Sequence, residues 1–357
     1  MSKEDMHIKM YSDPLEFYTS FLKDIKAATK SIFIEIFRFS NDPFGVRVRD
    51  NLLKKCKEGV EVKLLIDSWG GSSSYSFFED LVNEGAELRF FKKIKFNWDG
   101  FTKSHRRNHR KLIIIDEEIT YIGSANITAY SLNWRESVFR IRGDIAKKFT
   151  NIFFGNYRIY NKYFYDKSYY TKTIKYNGFE ILRDVPSLLH QPVQKKFLEL
   201  INKSKKEIII ETPYFLPGAH LRKALMDAAD RGVIVNIIIP KKSDVYALDV
   251  LASKYLGELH EHKVKIYFFL RQNLHSKIFL MDRKYFVVGS SNFDYRSFRY
   301  MHEICLAGEH KSLARQMIKH INLTIKESEI FNYDSWINRP VIHRLFEWLL
   351  VPFRHLF

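Results

Sequence analysis

Two short stretches of this chain gather the residue types that phosphoryl chemistry needs. NHRKLIIIDEEITYIGSANIT carries His109, Lys111, Asp116, Ser124 and Asn126, and LHSKIFLMDRKYFVVGSSNFD carries His275, Lys277, Asp282, Ser290 and Asn292. Residues two apart on an extended strand face the same side, so each His and Lys pair points into one space. The lysines would neutralise nonbridging phosphate oxygens. One imidazole would attack phosphorus while the other protonates the leaving alcohol and then deprotonates an incoming acceptor. One imidazole cannot act on both sides of phosphorus at once, which is why two copies are required. Ser124, Asn126, Ser290 and Asn292 are expected to add hydrogen bonds to the phosphate. Glu136 and Glu303, 27 and 28 residues beyond the two histidines, are expected to fix the imidazole tautomers. This chemistry calls for no metal and no other cofactor. His105 and His109 have the i, i+4 spacing of zinc ligands on a helix, but Arg106, Arg107, Arg110 and Lys111 beside them would repel a cation.

The elements that must position these residues repeat. From each motif histidine the Lys, Asp, Gly, Ser and Asn follow at 2, 7, 14, 15 and 17 residues, and a constant offset of 166 (275 less 109) relates the two sets. The duplication extends outward: KSIFIEIFRF at 30–39 is mirrored by KEIIIETPYF at 206–215, and KKCKEGVEVKLLID at 54–67 by MDAADRGVIVNIIIP at 226–240. Each motif reads as an apolar hairpin, with the aspartate at its turn. Upstream, periodicity predicts a helix over 13–30 with Leu15, Tyr18, Phe21, Leu22, Ile25 and Ala28 on its buried stripe. A strand over 31–39, a helix over 46–57, a strand over 60–67 and a helix over 77–83 follow. Such alternation predicts an α/β fold of two duplicated domains, each a sheet flanked by helices, related by a pseudo-twofold axis with the site between them.

The expected divisions are 1–150, a connecting segment 151–178, 179–325 and a C-terminal segment 326–357. The connecting segment holds Phe153, Phe154, Tyr157, Tyr160, Tyr163, Phe164, Tyr165, Tyr169 and Tyr170, with little Gly or Ser. It therefore reads as a helix and irregular chain packed on a domain; aromatics beside lysines would also suit base stacking or a lipid headgroup layer. A basic helix is expected over 311–327. Near the end, Pro340 opens a short helix with Ile337, Val341, Leu345, Trp348 and Leu349 on one face and His343, Arg344 and Glu347 opposite. That helix would serve either as an interfacial membrane anchor or as an element docked on the protein.

The 58 Lys and Arg exceed the 41 Asp and Glu by enough to give a formal charge of +17. Anionic partners follow: phospholipid, nucleic acid or phosphorylated metabolites. A hydrophobic content of 46% over 357 residues allows two ordinary cores. Cys56 and Cys305 have no partner motif nearby and read as buried small residues in a reducing compartment. The N-terminal stretch has no signal-peptide pattern, and no apolar run approaches the roughly 18 residues of a spanning helix. A cytoplasmic protein, soluble or peripheral on the inner face of the cell membrane, is expected.

The paired motifs resemble those of the phospholipase D superfamily: His, any, Lys, four residues, Asp, then Gly-Ser-any-Asn. The resemblance is closer to bacterial cardiolipin synthases, through RNHRK at 107–111, WRESVFRIRG at 134–143, ETPYFLP at 211–217 and GSSNFDYRSF at 289–298. It implies a pair of phospholipase-D-like domains and phosphatidyl transfer through a phosphohistidine, from phosphatidylglycerol or a similar anionic phospholipid at a membrane surface. His109, more than His275, is implied as nucleophile. Lys111 and Lys277 are implied as phosphate ligands, Glu136 and Glu303 as supports of the histidines, and Asp116 and Asp282 as the structural members of the catalytic motifs. The same family pattern also serves phospholipase D-type hydrolases and metal-independent nucleases, which remain the alternatives.

Overall fold

A computed structural model describes residues 6–70, 74–91, 106–162 and 164–356. The first half is built on a seven-stranded sheet, ordered His7–Tyr11, Val138–Arg142, Ile119–Gly123, Leu112–Ile115, Ser31–Ile36, Glu61–Asp67, Glu87–Phe91. The last three strands are parallel and the rest antiparallel. The second half repeats this order with Phe179–Asp184, Met301–Glu309, Tyr285–Gly289, Ile278–Met281, Glu207–Glu211, Ile234–Pro240 and Lys265–Phe269. Ile174–Tyr176 and Ser328–Ile330 are added at its edges. The expected duplicated α/β architecture, with mixed sheets flanked by helices, is what the structure has.

Local signals explain the helices. Asp13 caps Pro14–Ala27 by accepting the Leu15 N–H at 2.7 Å, and Asp42 caps Pro43–Lys57 through the Phe44 and Gly45 N–H groups. In both, proline occupies the first turn, where its missing donor costs nothing. Leu15, expected on the buried stripe, is exposed, and Phe17 is buried instead. The helix Ile145–Arg158 runs straight through the division expected at residue 150, because Phe149, Ile152, Phe153 and Tyr157 belong to one buried row. It is the counterpart of Lys311–Lys326, and both helices contribute to a core shared by the inner faces of the two sheets, where Phe33, Ile114 and Phe153 meet Leu280, Ile304 and Met317 in one cluster. Two outer cores, one per half, lie beneath the remaining helices.

In the connecting segment, Phe153 and Tyr157 are buried and Phe154 and Tyr160 pack against the shared core, which fits the structural rather than the stacking reading for these four. Phe164 and Tyr169 are exposed, and Tyr163 lies outside the described residues. Cys305 is buried as expected, whereas Cys56 is only partly so.

Candidate active site

Each motif histidine stands where its strand meets the other half. Arg107–Asn108 pairs in parallel with the start of Met301–Glu309, and the His109 N–H donates to the His302 carbonyl at 3.0 Å. The next residue is Glu303, whose Oε1 lies 2.9 Å from His109 Nδ1. The second histidine repeats the arrangement in reverse. The Arg135 N–H donates to the Asn273 carbonyl at 2.9 Å and the His275 N–H to the Arg135 carbonyl at 2.8 Å. Glu136 then places Oε1 and Oε2 each 3.0 Å from His275 Nδ1. The sequence expectation that these glutamates support imidazoles gains a feature that spacing concealed: each carboxylate serves the histidine of the opposite half. With Nδ1–H donating to a carboxylate, Nε2 is left with its lone pair outward and the ring cannot swing.

The carboxylates are held in turn. Ser124 Oγ donates to Glu136 Oε2 while accepting the Ser137 N–H at 2.7 Å; Ser290 Oγ donates to Glu303 Oε2 while accepting the Ile304 N–H at 3.0 Å. Both serines are wholly buried. Contrary to the expectation that these hydroxyls meet phosphate, the structure spends them on the glutamates. This contact needs Gly123 and Gly289, since a Cβ on either would stand 2.2 Å from the carbonyl oxygen of Ser137 or Ile304. Of the two amides, Asn126 Oδ1 accepts the Arg38 N–H at 3.2 Å, so it braces a neighbouring strand end, whereas Asn292 Oδ1 is buried and unbonded to protein.

Lys111 Nζ donates to its own motif's His109 carbonyl at 2.9 Å, and Lys277 Nζ to that of His275 at 2.8 Å. Both side chains are nearly inaccessible. Burial, and for Lys111 also the Lys277 charge, lowers the two ammonium groups to about 7 and about 8. Burial likewise lowers both imidazoles, with Lys111 adding to the effect on His109, which falls to about 4 against the pull of Glu303. Burial would raise the glutamates, but His275 and Lys277 for Glu136, and His109 and Lys111 for Glu303, outweigh it and keep both carboxylates ionised. The site is thus a pocket of closely spaced basic groups in which burial disfavours the charged imidazoles, a balance that an anionic phosphate would shift.

Asp116 and Asp282 sit at the hairpin turns, where Asp116 and Glu117, like Asp282 and Arg283, take positive φ. Their carboxylates accept the N–H groups of Thr29, Lys30 and Ser31, and of Lys205, Lys206 and Glu207. They lock each hairpin to the start of the neighbouring strand and stand apart from the imidazoles. Among the described residues there is no group of three His, Cys, Asp or Glu able to hold a metal, and His105 lies outside them.

Several residues of the site's frame were not singled out from sequence. Asp67 forms a buried pair with Arg107 at 2.7 Å and accepts the Asn108 N–H at 2.8 Å, so it fixes the strand that delivers His109. Phe37 and Trp134 set ring edges against His109 and His275, at 5.3 and 5.1 Å between centroids. The usable signals were an aspartate directly after the apolar run Leu64–Ile66 and an aromatic two residues before a motif glutamate. His302 meets Tyr165 Oη at 3.2 Å through Nε2, joining the aromatic connecting segment to the strand that carries Glu303.

A family model described as cardiolipin synthase, PLD-like domain, matches residues 21–156 and 197–324. A cardiolipin synthase of Alkalihalophilus pseudofirmus is 30% identical over 353 residues, which are 95% of this chain and 70% of that protein. The major cardiolipin synthase ClsA of Bacillus subtilis is 27% identical over 363 residues, covering 96% and 74%. Among solved structures, a phosphatidylserine synthase of Haemophilus influenzae has the same fold, with a TM-score of 0.80 over 98% of this chain and 95% of that one at 16% identity. With the family model spanning both motif-bearing halves and the relatives aligned over nearly all of this chain, the chain belongs to the phospholipase-D-like family of the cardiolipin synthases.

Proposed function

We propose that the chain is a phosphatidyltransferase that joins the phosphatidyl group of one phosphatidylglycerol to a hydroxyl of another, giving cardiolipin and glycerol. Lys111 and Lys277 bind the nonbridging oxygens. Nε2 of one histidine attacks phosphorus and the other, protonated, gives its proton to the departing glycerol oxygen. The P–O bond to glycerol breaks as the P–N bond forms. The second histidine, now neutral, takes the proton of the acceptor hydroxyl, whose oxygen then displaces the nucleophile from phosphorus.

The observation that carries this reading is the exchange of Glu136 and Glu303 across the pseudo-twofold, which holds two oriented imidazoles and two ammonium groups in one enclosure. The roles are unequal. His109 meets a single oxygen of Glu303, while His275 faces both oxygens of Glu136 and is the better placed to carry a proton. His109 is therefore the nucleophile and His275 the general acid and base. The phosphate ligands are Lys111, Lys277 and Asn292. The net charge of +17 suits an anionic bilayer, and no helix among the described residues is long and apolar enough to cross a membrane. The enzyme acts peripherally, on the cytoplasmic face.

Incubation with phosphatidylglycerol vesicles, followed by mass spectrometry of lipids and headgroups, should show cardiolipin and free glycerol in equal amounts. Phosphatidic acid in place of cardiolipin would make the enzyme a hydrolase. Cleavage of single-stranded DNA with no lipid product would make it a nuclease.

A further inference from the structure

Eight of the twenty-one large apolar side chains that stand exposed among the described residues fall within residues 337–353: Ile337, Val341, Ile342, Leu345, Phe346, Trp348, Leu349 and Phe353. Isolated exposed apolar residues are ordinary; a contiguous set is not. The helix Val341–Leu350 carries most of them, and it is seated the wrong way round for a water-soluble surface helix. Its one buried side chain is Glu347, 3% exposed, which accepts both Arg339 Nε at 2.7 Å and Arg339 Nη2 at 2.8 Å. Trp348 is 67% and Val341 79% exposed. The residues of the expected apolar stripe are all exposed, but Glu347 turns toward the protein. His343 and Arg344, expected on the same side as Glu347, stay exposed beside the apolar residues.

The helix does not cover a filled core. Beneath it lies a cavity of about 1130 Å³, walled by Pro213, Phe215, Tyr246, Trp336, Ile342 and Phe346. It is seated against the helix Tyr246–Glu261 and fixed by the Arg339–Glu347 pair and by Leu350 and Val351, which pack with Tyr295 and Leu216. Tyr295 directly follows Asn292–Asp294 of the second motif, so the C-terminal element is attached to the shell behind the catalytic site. Its charge is one-sided. Glu347 is the only acid after residue 337 and is already matched by Arg339, which leaves Arg344 and Arg354 without an acidic neighbour in that stretch.

We propose that Val341–Leu350 is an interfacial docking helix whose outward Val341, Leu345, Trp348 and Leu349 enter an anionic phospholipid bilayer while Arg344 and Arg354 meet the headgroups. Interfacial helices combine such a face with flanking cations and an indole at the boundary. A second copy of the chain is the poorer occupant, since a self-paired face would set these arginines against each other. The inference rests on the lipid substrate of the proposed function and specifies how the enzyme reaches it.

The full chain and a Leu345→Ser/Trp348→Ser variant are compared for sedimentation with phosphatidylglycerol-containing vesicles and with purely phosphatidylcholine vesicles. Their rates on phosphatidylglycerol dispersed in detergent are measured in parallel. The wild type should bind anionic vesicles, and the variant should bind about tenfold or more weakly with an unchanged detergent rate. Equal vesicle binding by the two proteins overturns the proposal, as does a wild type that ignores vesicles and forms a dimer which the variant loses. If the variant loses vesicle binding but neither protein makes any phosphatidyl product in vesicles or detergent, the docking helix stands and the transferase reading fails.

Discussion

The two halves carry corresponding buried glutamates that are treated in opposite ways. Glu35, the penultimate residue of Ser31–Ile36, lies opposite Leu112, and Glu211, which ends Glu207–Glu211, lies opposite Ile278, the same register in each sheet. Glu35 accepts the side-chain amides of Asn108 and Asn156, and burial raises it above the usual carboxylate range despite Arg110 nearby. Glu211 lies 2.6 Å from His320 Nε2; burial would raise it too, but the His320 partnership prevails and lowers it. Asn156 and His320 come from the corresponding helices Ile145–Arg158 and Lys311–Lys326. A duplicated scaffold has therefore kept its geometry while changing the charge beneath its centre, and this makes it chemically reasonable for the two histidines to divide the labour.

The largest test of that division is removal of an imidazole. His109→Ala and His275→Ala should each lower kcat by roughly three orders of magnitude or more. Only the His275→Ala variant should still trap a phosphorylated histidine from labelled phosphatidylglycerol; trapping in His109→Ala alone would reverse the roles. Next, Glu136→Gln and Glu303→Gln should cost about 10 to 100-fold in kcat. The Glu136 change should also shift the pH profile of kcat, since Glu136 would stabilise the imidazolium of the proposed acid, whereas the Glu303 change should leave that profile in place.

Lys111 gives a milder, pH-dependent effect. Its ammonium, lowered to about 7, is present below that pH and lost above it, so kcat/KM for an anionic substrate should decline as pH rises through about 7. A kcat/KM that rises steadily to pH 9 would contradict it. Stability measured by urea unfolding supplies a symmetric control and an asymmetric one. Asp116→Ala and Asp282→Ala should each cost about 2 kcal/mol with little change in kcat, because each removes the same three backbone contacts. Glu211→Gln should cost about 1 kcal/mol at neutral pH. Glu35→Gln should be neutral or stabilising there. The signs follow from linkage. A lowered carboxylate contributes stability above its unfolded pKa that fades as pH falls through its folded one; a raised carboxylate is favourable only at low pH and becomes a burden as pH rises. The two glutamine variants should therefore differ most near neutrality and converge in acid.

Much of this molecule is legible in its sequence because the information is local and periodic. The His-x-Lys pairs, the turn aspartates and the offset of 166 gave both hairpins and the repeated sheet order. What escaped depends on contacts between distant segments. Spacings of 27 and 28 residues place Glu136 and Glu303 near their motifs, but only the crossing of Arg135 over Asn273 and Leu274, and of His302 over Asn108, hands each carboxylate to the other half. Ser124 and Ser290 looked like phosphate ligands for the same reason: a hydroxyl after a strand is equally suited to a substrate or to a buried carboxylate, and Gly123 and Gly289 decide it by close approach. The Asn156 and His320 difference lies in helices without a motif, and the seating of Val341–Leu350 depends on the Arg339–Glu347 pair and on packing against Tyr246–Glu261, far away in the sequence.

The exchanged glutamates also impose an order in time. During synthesis the first half emerges with His109 and Lys111 complete, yet His109 has no carboxylate until Glu303, nearly two hundred residues later, has left the ribosome and its strand has crossed back. A nascent or truncated chain thus carries an unassembled imidazole and only part of the site. Completion of the second fold is what arms the first.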